Sequence, residues 1–380
     1  MPLFTARFEC EVLTPMFLSG VDQETCELRA ASLRGAMRYW YRALLGGRGL
    51  SLREVKGAEA RVFGEAARDG GVGSSAVSVR VHAPHLTDHI RPANTLPDWD
   101  HKTDAEHPRG KLSPNSGTGY LWFSVALGSN FRSYVQPEAR FQVVLTSRSE
   151  VALREALRAF WLVVHLGGIG TRSRRAAGSI WVRGVLFSKH LSEEFRGPAF
   201  IETFDVKTVG RELERMLAEE RGTSTPPFDT LKPGRSLIGT RSLPTDSWKK
   251  AVQSTGEHLK SFWSTQRAGT RRPSDSDRAG FGLPVTLGSK SRQRELKLDV
   301  SPLDPTDRRA SPLHISIVPL LGTRGSLGAV YTLMAGPFGP LGTDLLVEYV
   351  NADRIDRASM PDGAFVRNYV TTAISETVLS

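Results

Sequence analysis

The chain is predicted to turn from a helix into a strand at Gly167-Gly168-Ile169-Gly170-Thr171-Arg172-Ser173-Arg174-Arg175-Ala176-Ala177-Gly178. This segment, the glycine-arginine loop, contains four glycines, three arginines and no acidic residue. Glycine lets a backbone approach a ligand closely and adopt positive φ. Arginine presents a planar fork of donors that matches phosphate. The loop therefore predicts a binding site for an anion, and a phosphate chain is the expected anion.

The loop differs from the common nucleotide-binding motifs. A P-loop would continue into Gly-Lys-Ser/Thr, and a dinucleotide fingerprint would follow a strand, whereas this loop follows a helix. The usual nucleotide-binding folds are therefore excluded. One alternative stays open, in which the glycines cap the helix and the arginines lie in solvent.

Length and charge agree with a polyanionic partner. A chain of 380 residues is long enough for two domains, and 50 Lys+Arg against 40 Asp+Glu give a net charge of +10. The two cysteines, Cys10 and Cys26, form no CxxC pair, which predicts a reducing, cytoplasmic location. The longest apolar run, around 159–169, is far shorter than the ~20 residues that span a bilayer, so no membrane partner is expected.

The sequence of the first half predicts the element order strand, helix, several strands, helix, strand. The expected elements are a strand over 1–12, a helix over 33–45 with Ser32 as N-cap, strands over 76–81, 120–127 and 141–145, a helix over 150–166 and a strand over 180–187. This is the βαββαβ order of a ferredoxin-like or RRM-like domain, which we place at 1–190. The glycine-arginine loop joins its last helix to its last strand.

Residues 191–380 are predicted to form a second, degenerate ferredoxin-like domain with helical insertions. Its expected elements are helices over 206–220, 246–265 and 362–379 and strands over 313–318 and 329–333. Long loops, rich in Gly, Pro, Ser and charge, lie at about 84–118, 221–245, 266–280 and 287–312. The predicted fold class is therefore α+β, with two tandem ferredoxin-like (RRM-like) domains and long inserted loops.

The predicted helix over 33–45 has an apolar face and an arginine face. The apolar stripe is Leu33, Met37, Trp40 and Leu44, and the arginine stripe is Arg34, Arg38 and Arg42, with Arg29 just upstream. Successive arginines lie about 6 Å apart along the axis, close to the phosphate spacing of an extended strand. Because like charges at i,i+4 are destabilising without a partner, the stripe predicts a bound anion, with a solvated face as the alternative. Tyr39, Trp40 and Tyr41 are candidates either for base stacking or for the core.

Three segments together resemble the RAMP superfamily. They are Thr14-Pro15-Met16-Phe17-Leu18-Ser19-Gly20, then Glu27-Leu28-Arg29-Ala30-Ala31-Ser32-Leu33-Arg34-Gly35-Ala36-Met37-Arg38-Tyr39-Trp40-Tyr41-Arg42, and the glycine-arginine loop. Within that superfamily they look like the first-numbered RAMP subunits of the Cmr complexes, the type III-B CRISPR effectors. Arg308-Arg309-Ala310-Ser311-Pro312-Leu313-His314-Ile315 is similar to the C-terminal half of those subunits.

The resemblance implies tandem ferredoxin-like domains and a non-catalytic subunit of an antiviral ribonucleoprotein, without a cofactor. Such a subunit lies near the 3′ end of the guide RNA, contacts guide or target RNA, and docks on other RAMP subunits and a large polymerase-like subunit. Carried over by position, the RNA-binding candidates are Arg29, Arg34, Arg38, Arg42, Gly168, Gly170, Arg172, Arg174 and Arg175. The chain departs from the pattern at Ala176-Ala177-Gly178, where such loops tend to read Arg-Arg-Gly-x-Gly.

Two chemical alternatives stay open. Five histidines (His82, His85, His89, His101 and His107) share one loop region with Asp88, Asp98, Asp100 and Asp104, a set that suits a metal ion or acid-base cleavage of RNA. Some RAMP relatives cleave RNA through a loop aspartate, which makes Asp22 the residue to test. The alternative function is a stand-alone endoribonuclease that processes guide RNA precursors. We interpret His314, in an apolar strand, as a core histidine, and assign no catalytic or metal-binding residue.

Overall fold

The structure is a computed structural model that describes residues 2–20, 25–65, 73–104, 107–126, 132–219, 222–268, 274–282, 285–287, 294–298, 310–321, 326–336, 345–349, 355–358 and 363–380. These residues form an α+β fold with antiparallel sheets, in agreement with the predicted class. Among them, no helix combines the length and apolar character that crossing a bilayer requires.

Eight α-helices are described. They are α1 (Ala30–Gly47), α2 (Leu52–Phe63), α3 (Gly117–Trp122), α4 (Glu150–Leu166), α5 (Val206–Ala218), α6 (Trp248–Ala268), α7 (Asp275–Ala279) and α8 (Ala364–Ala373). The described strands are β1 (Phe4–Val12), β2 (Val77–His82), β3 (Ile90–Pro92), β4 (Trp99–Asp100), β5 (Lys111–Leu112), β6 (Ser133–Val135), β7 (Arg140–Ser147), β8 (Ile180–Phe187), β9 (Leu237–Leu243), β10 (Val285–Leu287), β11 (Arg294–Leu298), β12 (Leu313–Pro319), β13 (Leu327–Leu333), β14 (Leu345–Tyr349), β15 (Ile355–Ala358) and β16 (Glu376–Leu379).

The first half is built on a four-stranded sheet of order β2-β7-β1-β8. β1 is central, with Phe8 opposite Val143 on one side and Val185 on the other. Its side chains alternate between buried and more exposed, as predicted, because one face of the sheet is covered by α1 and α4. α4 and β8 have the predicted bounds; the hydroxyl of Ser149 caps α4 by accepting a hydrogen bond from the N–H of Ala152 at 3.2 Å.

The second half repeats this arrangement. Its four-stranded sheet has the order β12-β13-β9-β16. Numbered along the chain, the strands of both sheets run second, third, first, fourth. In both halves helices follow the first strand, and an α-helix precedes the fourth strand; in the second half β14 and β15 also lie between the third strand and that helix. Three further described sheets lie outside this repeated plan: the four-stranded sheet β10-β11-β14-β15 and the two-stranded sheets β3-β6 and β4-β5.

The two halves share their hydrophobic cores. The core under the first sheet also takes in Met216 of α5 and Val330 of β13, and the second core takes in Phe17, Ala176 and Ala177 from the first half. Side chains from both halves therefore pack in each core, so that residues far apart in sequence fix each other's position.

The segment 120–127 was wrongly predicted to be a strand. The chain forms α3 there, followed by a 3-10 turn over Phe123–Ala126. The hydroxyl of Ser116 caps α3 through the N–H of Gly119 at 2.9 Å, and the side chain of Gln253 in α6 accepts from the N–H of Thr118 at 3.0 Å. Docking on α6 thus outweighs the strand propensity of the aromatic residues.

Two helix ends also differ from the prediction. α1 begins at Ala30 with Arg29, not Ser32, as N-cap, because the N–H groups of Ser32 and Leu33 already donate to the carbonyl of Arg29. The expected closing helix ends at Ala373, and the chain then enters β16, where pairing with β9 satisfies the backbone of the last residues. Neither β9 nor α2 was predicted.

Candidate nucleic-acid interface

A groove of about 610 Å³ lies where the N-terminus of α1 meets the glycine-arginine loop. We call it the basic groove; its lining residues are Phe17, Leu18, Ser19, Gly20, Arg29, Ser32, Arg132, Gly170 and Thr171. Two of them, Arg29 and Gly170, are among the residues proposed from the sequence. Polar groups and two arginines around one opening are suited to an anionic ligand.

The N-terminus of α1 adds a positive end to this groove. Arg29 makes no side-chain capping bond, and the first turn contains no acidic residue. No carboxylate within the first turn therefore offsets the partial positive charge of the helix end where Arg29 and Ser32 line the groove. A helix end of this kind is a common binding position for phosphate.

Arg132 is a groove residue that the sequence analysis missed. Its Nη1 donates to Ser19 Oγ at 2.6 Å and to Thr171 Oγ1 at 3.4 Å, which holds the guanidinium between the segment before α1 and the glycine-arginine loop. No sequence motif marks it, because its partners lie 113 and 39 residues away along the chain.

Gly170 is exposed and has a φ of +94°. A Cβ atom on this residue would lie 2.3 Å from the carbonyl oxygen of Phe17, and the N–H of Thr171 donates to that same oxygen at 2.8 Å. Glycine is therefore required by the packing of the loop on residue 17. Because Gly170 has no side chain, its backbone is exposed at the groove.

The other glycines of the loop pack against the protein itself. A Cβ atom on Gly168, which is buried, would lie 2.9 Å from the carbonyl oxygen of Gly178, and one on Gly167 would lie 2.4 Å from Nε1 of Trp40. Gly178 itself has a φ of +64°. Close packing of the loop on α1 and on itself thus accounts for these three glycines without a ligand.

Arg174 and Arg175 point toward the C-terminal half. Arg175 donates from Nη1 to the carbonyl of Leu313 at 3.1 Å and from Nη2 to that of Phe281 at 3.0 Å. Arg174 donates to the carbonyl of Ser311, and its guanidinium carbon lies 4.9 Å from the ring centre of Tyr39. Burial lowers the pKa of Arg175 to about 10, with smaller effects from the neighbouring arginines.

Arg172 lies in the loop between Thr171, which lines the groove, and the arginines at 174 and 175, which contact the second half. Its backbone is left-handed, with a φ of 63°, and its Nε donates to Ser124 Oγ at 2.6 Å. Its guanidinium carbon lies 4.7 Å from the ring centre of Phe123, and burial lowers its pKa. Arg172 therefore ties the glycine-arginine loop to the turn after α3.

An acidic residue of α2 pairs with two of the three arginines in the arginine stripe of α1. Arg38 Nε and Arg42 Nη1 both donate to Oε1 of the buried Glu59, at 2.5 and 2.7 Å. Arg34 has no ion-pair partner among the described residues, and it lies one turn nearer the basic groove. The stripe thus presents one unpaired and two partly neutralised guanidinium groups.

The aromatic residues beside the stripe belong mainly to the core. Trp40 and Tyr41 are buried, whereas Tyr39 is partly exposed. The hydroxyl of Tyr39 lies 3.0 Å from Nε2 of His314, which is buried in β12. Burial, together with the charges of the loop arginines, lowers the pKa of His314 well below its usual range. His314 thus has the core position expected from the sequence.

The histidine-rich region does not converge on a metal site where it is described. Within the described ranges, no three His, Cys, Asp or Glu side chains could together hold a metal ion. Asp104 instead pairs with Lys111 at 3.0 Å and with His107 at 2.9 Å, and these bonds lower its pKa. His89 bonds to Gln136 at 3.1 Å. Asp22, the residue suspected of cleavage, lies outside the described residues.

Comparison with known families matches the part of the chain that contains the groove. A sequence model of the RAMP superfamily matches residues 9–181. We call these residues the RAMP region because of this match. All lining residues of the basic groove lie within this RAMP region, and the arginines at 174 and 175 connect it to the second half.

Relatives extend the similarity to most of the chain. CRISPR system Cmr subunit Cmr1-1 of Pyrococcus furiosus is 29% identical over 340 residues, which cover 84% of this chain and 85% of that protein. The crystal structure of apo Cmr1 from Pyrococcus furiosus superposes with a TM-score of 0.59 at 22% identity, covering 99% of both chains. A chain in the cryo-EM structure of the type III-B Cmr-beta complex bound to cognate target RNA gives a TM-score of 0.55 at 12% identity, covering 98% of this chain and 100% of that one. The structural matches show a shared fold that extends beyond the RAMP region.

Proposed function

We propose that this chain is a Cmr1-type subunit of a type III-B CRISPR ribonucleoprotein, and that it binds RNA without cleaving it. The similarity to Cmr1-1 over most of both chains supports the assignment to such a complex. One similar chain comes from a type III-B Cmr-beta complex bound to cognate target RNA, which supports target RNA and a multi-subunit complex as partners. We further propose guide RNA, other RAMP subunits and a large polymerase-like subunit as partners. We place the subunit near the 3′ end of the guide.

The repeated sheet supports the tandem plan. Both halves place their four strands in the same order with helices at equivalent connections, which agrees with two ferredoxin-like domains at 1–190 and 191–380. We therefore propose the two domains predicted from the sequence. Each of the two hydrophobic cores contains side chains from both domains.

The observation that carries RNA binding is the basic groove. Arg29 and Arg132 lie beside the N-terminus of α1, whose first turn contains no acidic residue, and exposed backbone at Gly170 lies on the same opening. These groups suit a phosphate of a single-stranded segment. Arg34 continues the row of positively charged side chains from the groove along α1. It is followed by Arg38 and Arg42, whose charges Glu59 partly neutralises. Backbone contacts of this kind bind any sequence.

We assign a positioning role to the other candidates. Gly168 is buried in the loop, and Arg174 and Arg175 donate to carbonyl groups of the second half. Arg172 holds the turn after α3. These residues keep the groove in shape. We assign the RNA contacts to Arg29, Arg34, Arg132 and Gly170, with weaker contacts from Arg38 and Arg42, whose charges Glu59 partly offsets.

Salt-dependent RNA binding by the assembled complex tests this proposal. Each lost phosphate contact reduces the slope of log affinity against log salt by about 0.7 on single strands, so we expect that reduction for Arg29→Ala and for Arg132→Ala. Arg211→Ala, an exposed arginine on α5 outside the groove, serves as the control. Unchanged slopes for both groove variants would remove the groove from the RNA site. Cleavage of labelled repeat RNA by the chain alone would favour the endoribonuclease.

A further inference from the structure

Phe123 is a large apolar side chain that the fold leaves in solvent. It follows α3 in the turn Phe123–Ala126, and 53% of its surface is exposed. Its neighbours Leu121, Trp122 and Val125 are buried, so within the described part of this region Phe123 is a single exposed ring and not part of an apolar patch. Protein docking sites are usually marked by contiguous apolar patches, which makes an isolated ring a poor candidate for one.

The ring is held in place on one face. The guanidinium carbon of Arg172 lies 4.7 Å from the ring centre, and Arg172 is itself fixed because its Nε donates to Ser124 Oγ at 2.6 Å. A cation against one face of an aromatic ring stabilises the pair and restricts the ring. An exposed ring restricted in this way loses little side-chain entropy when a second planar group binds to it.

The turn that carries Phe123 is also bonded to a residue of the basic groove. The N–H of Arg132 donates to the carbonyl of Val125 at 3.3 Å, and Nη1 of the same arginine reaches Thr171 Oγ1 at 3.4 Å. Thr171 precedes Arg172 in the chain. A phosphate-binding group and an exposed aromatic ring are therefore positioned by one connected set of bonds between the turn and the loop.

We propose that Phe123, supported by Arg172, forms a stacking subsite for one unpaired base of an RNA strand whose phosphate lies in the basic groove. This inference rests on the proposed RNA-binding function and adds a base contact to it. Every base has a flat face, so such a subsite accepts any of the four bases. The subsite also gives the groove a contact that salt does not weaken as it weakens phosphate contacts.

The test uses the assembled complex and labelled single-stranded RNA at several salt concentrations. Removal of a base-stacking aromatic ring lowers affinity about tenfold to a hundredfold. We expect Phe123→Ala to lower affinity by this factor with an unchanged salt slope, and Phe123→Trp to retain affinity. Leu186→Ala, which removes another exposed apolar side chain (65% exposed), is the matched control and should bind like the parent.

A scan with one abasic nucleotide at a time then locates the contact. The parent should lose affinity at one position of the strand, and Phe123→Ala should show no additional loss there. If Phe123→Ala binds every RNA like the parent, or releases the subunit from the complex without changing RNA affinity, the stacking subsite is wrong while the proposed function stands. If the groove variants also leave the salt slope unchanged, the groove is not the RNA site, and the proposed RNA-binding role of the groove fails together with the stacking subsite.

Discussion

The backbone N–H of Ala176 donates a hydrogen bond to the carbonyl oxygen of Ile315 across 2.8 Å, which joins the glycine-arginine loop to the C-terminal sheet. Arg175, next to it, donates to the carbonyl groups of Leu313 and Phe281. A loop whose glycines and arginines predict an anion site thus also connects the two halves. Glycines and arginines serve both purposes, because close backbone approach and multiple donors are needed for tight packing as well as for a ligand.

Arg175→Ala should destabilise the protein more than it weakens RNA binding. It removes bonds to three carbonyl groups (those of Arg174, Leu313 and Phe281), and at about 1 kcal/mol each the free energy of unfolding should fall by about 3 kcal/mol. Urea unfolding measures the change, with Arg29→Ala as the comparison that should leave stability nearly unchanged. A fully stable Arg175→Ala protein with lost RNA affinity would mean that Arg175 contacts RNA directly.

Glu59→Gln should increase RNA affinity while lowering stability. The carboxylate offsets the charges of Arg38 and Arg42, so its neutralisation should steepen the salt slope of RNA binding by up to about 0.7. Loss of the charged acceptor should lower the free energy of unfolding by about 1–2 kcal/mol. Glu212→Gln, which breaks a surface pair with Arg215, should change stability by less than about 1 kcal/mol and leave RNA binding unchanged. Unchanged RNA binding in Glu59→Gln would indicate that this face of α1 does not meet RNA.

Gly170→Ala and Gly35→Ala should shift stability in opposite directions. At Gly170 the positive φ and the 2.3 Å approach of a Cβ to the Phe17 carbonyl oxygen should cost about 2 kcal/mol or more. Gly35, within α1, has no atom within 4 Å of its Cβ position, so alanine should stabilise the helix by about 1 kcal/mol. Thermal unfolding of both variants measures the difference. An equally stable Gly170→Ala protein would show that the loop can adopt another backbone path.

His165 should make the protein less stable in mild acid. Burial lowers its pKa to about 3, against an unfolded value of about 6.5. Between these values the unfolded chain binds more protons, so stability falls as the pH drops through this window, by about 2 kcal/mol between pH 7 and pH 5. His165→Phe should flatten that dependence in urea unfolding measured at several pH values. Phe160→Leu, another buried change in α4, should lower stability by a similar amount at every pH. A His165→Phe protein with the parent's pH dependence would assign the acid sensitivity to other groups.

Local patterns predicted the elements whose signals lie within a few residues. β1 follows its alternation, and α4 follows its helical spacing between Ser149 and Gly167. These elements could be located because the side chains that face one core recur with the period of the backbone itself. The segment 120–127 could not, since α6, more than a hundred residues further on, stabilises it as a helix.

The sequence by itself determined that this is a basic α+β chain with a RAMP region, and that arginines gather on α1 and in the loop after α4. Only the tertiary structure decided which of those arginines are available. Glu59 partly neutralises Arg38 and Arg42, the second half engages Arg174 and Arg175, and Arg132 joins Arg29 at the groove. The physical reason is that the availability of a charge depends on its partners in space, and here those partners come from distant parts of the chain.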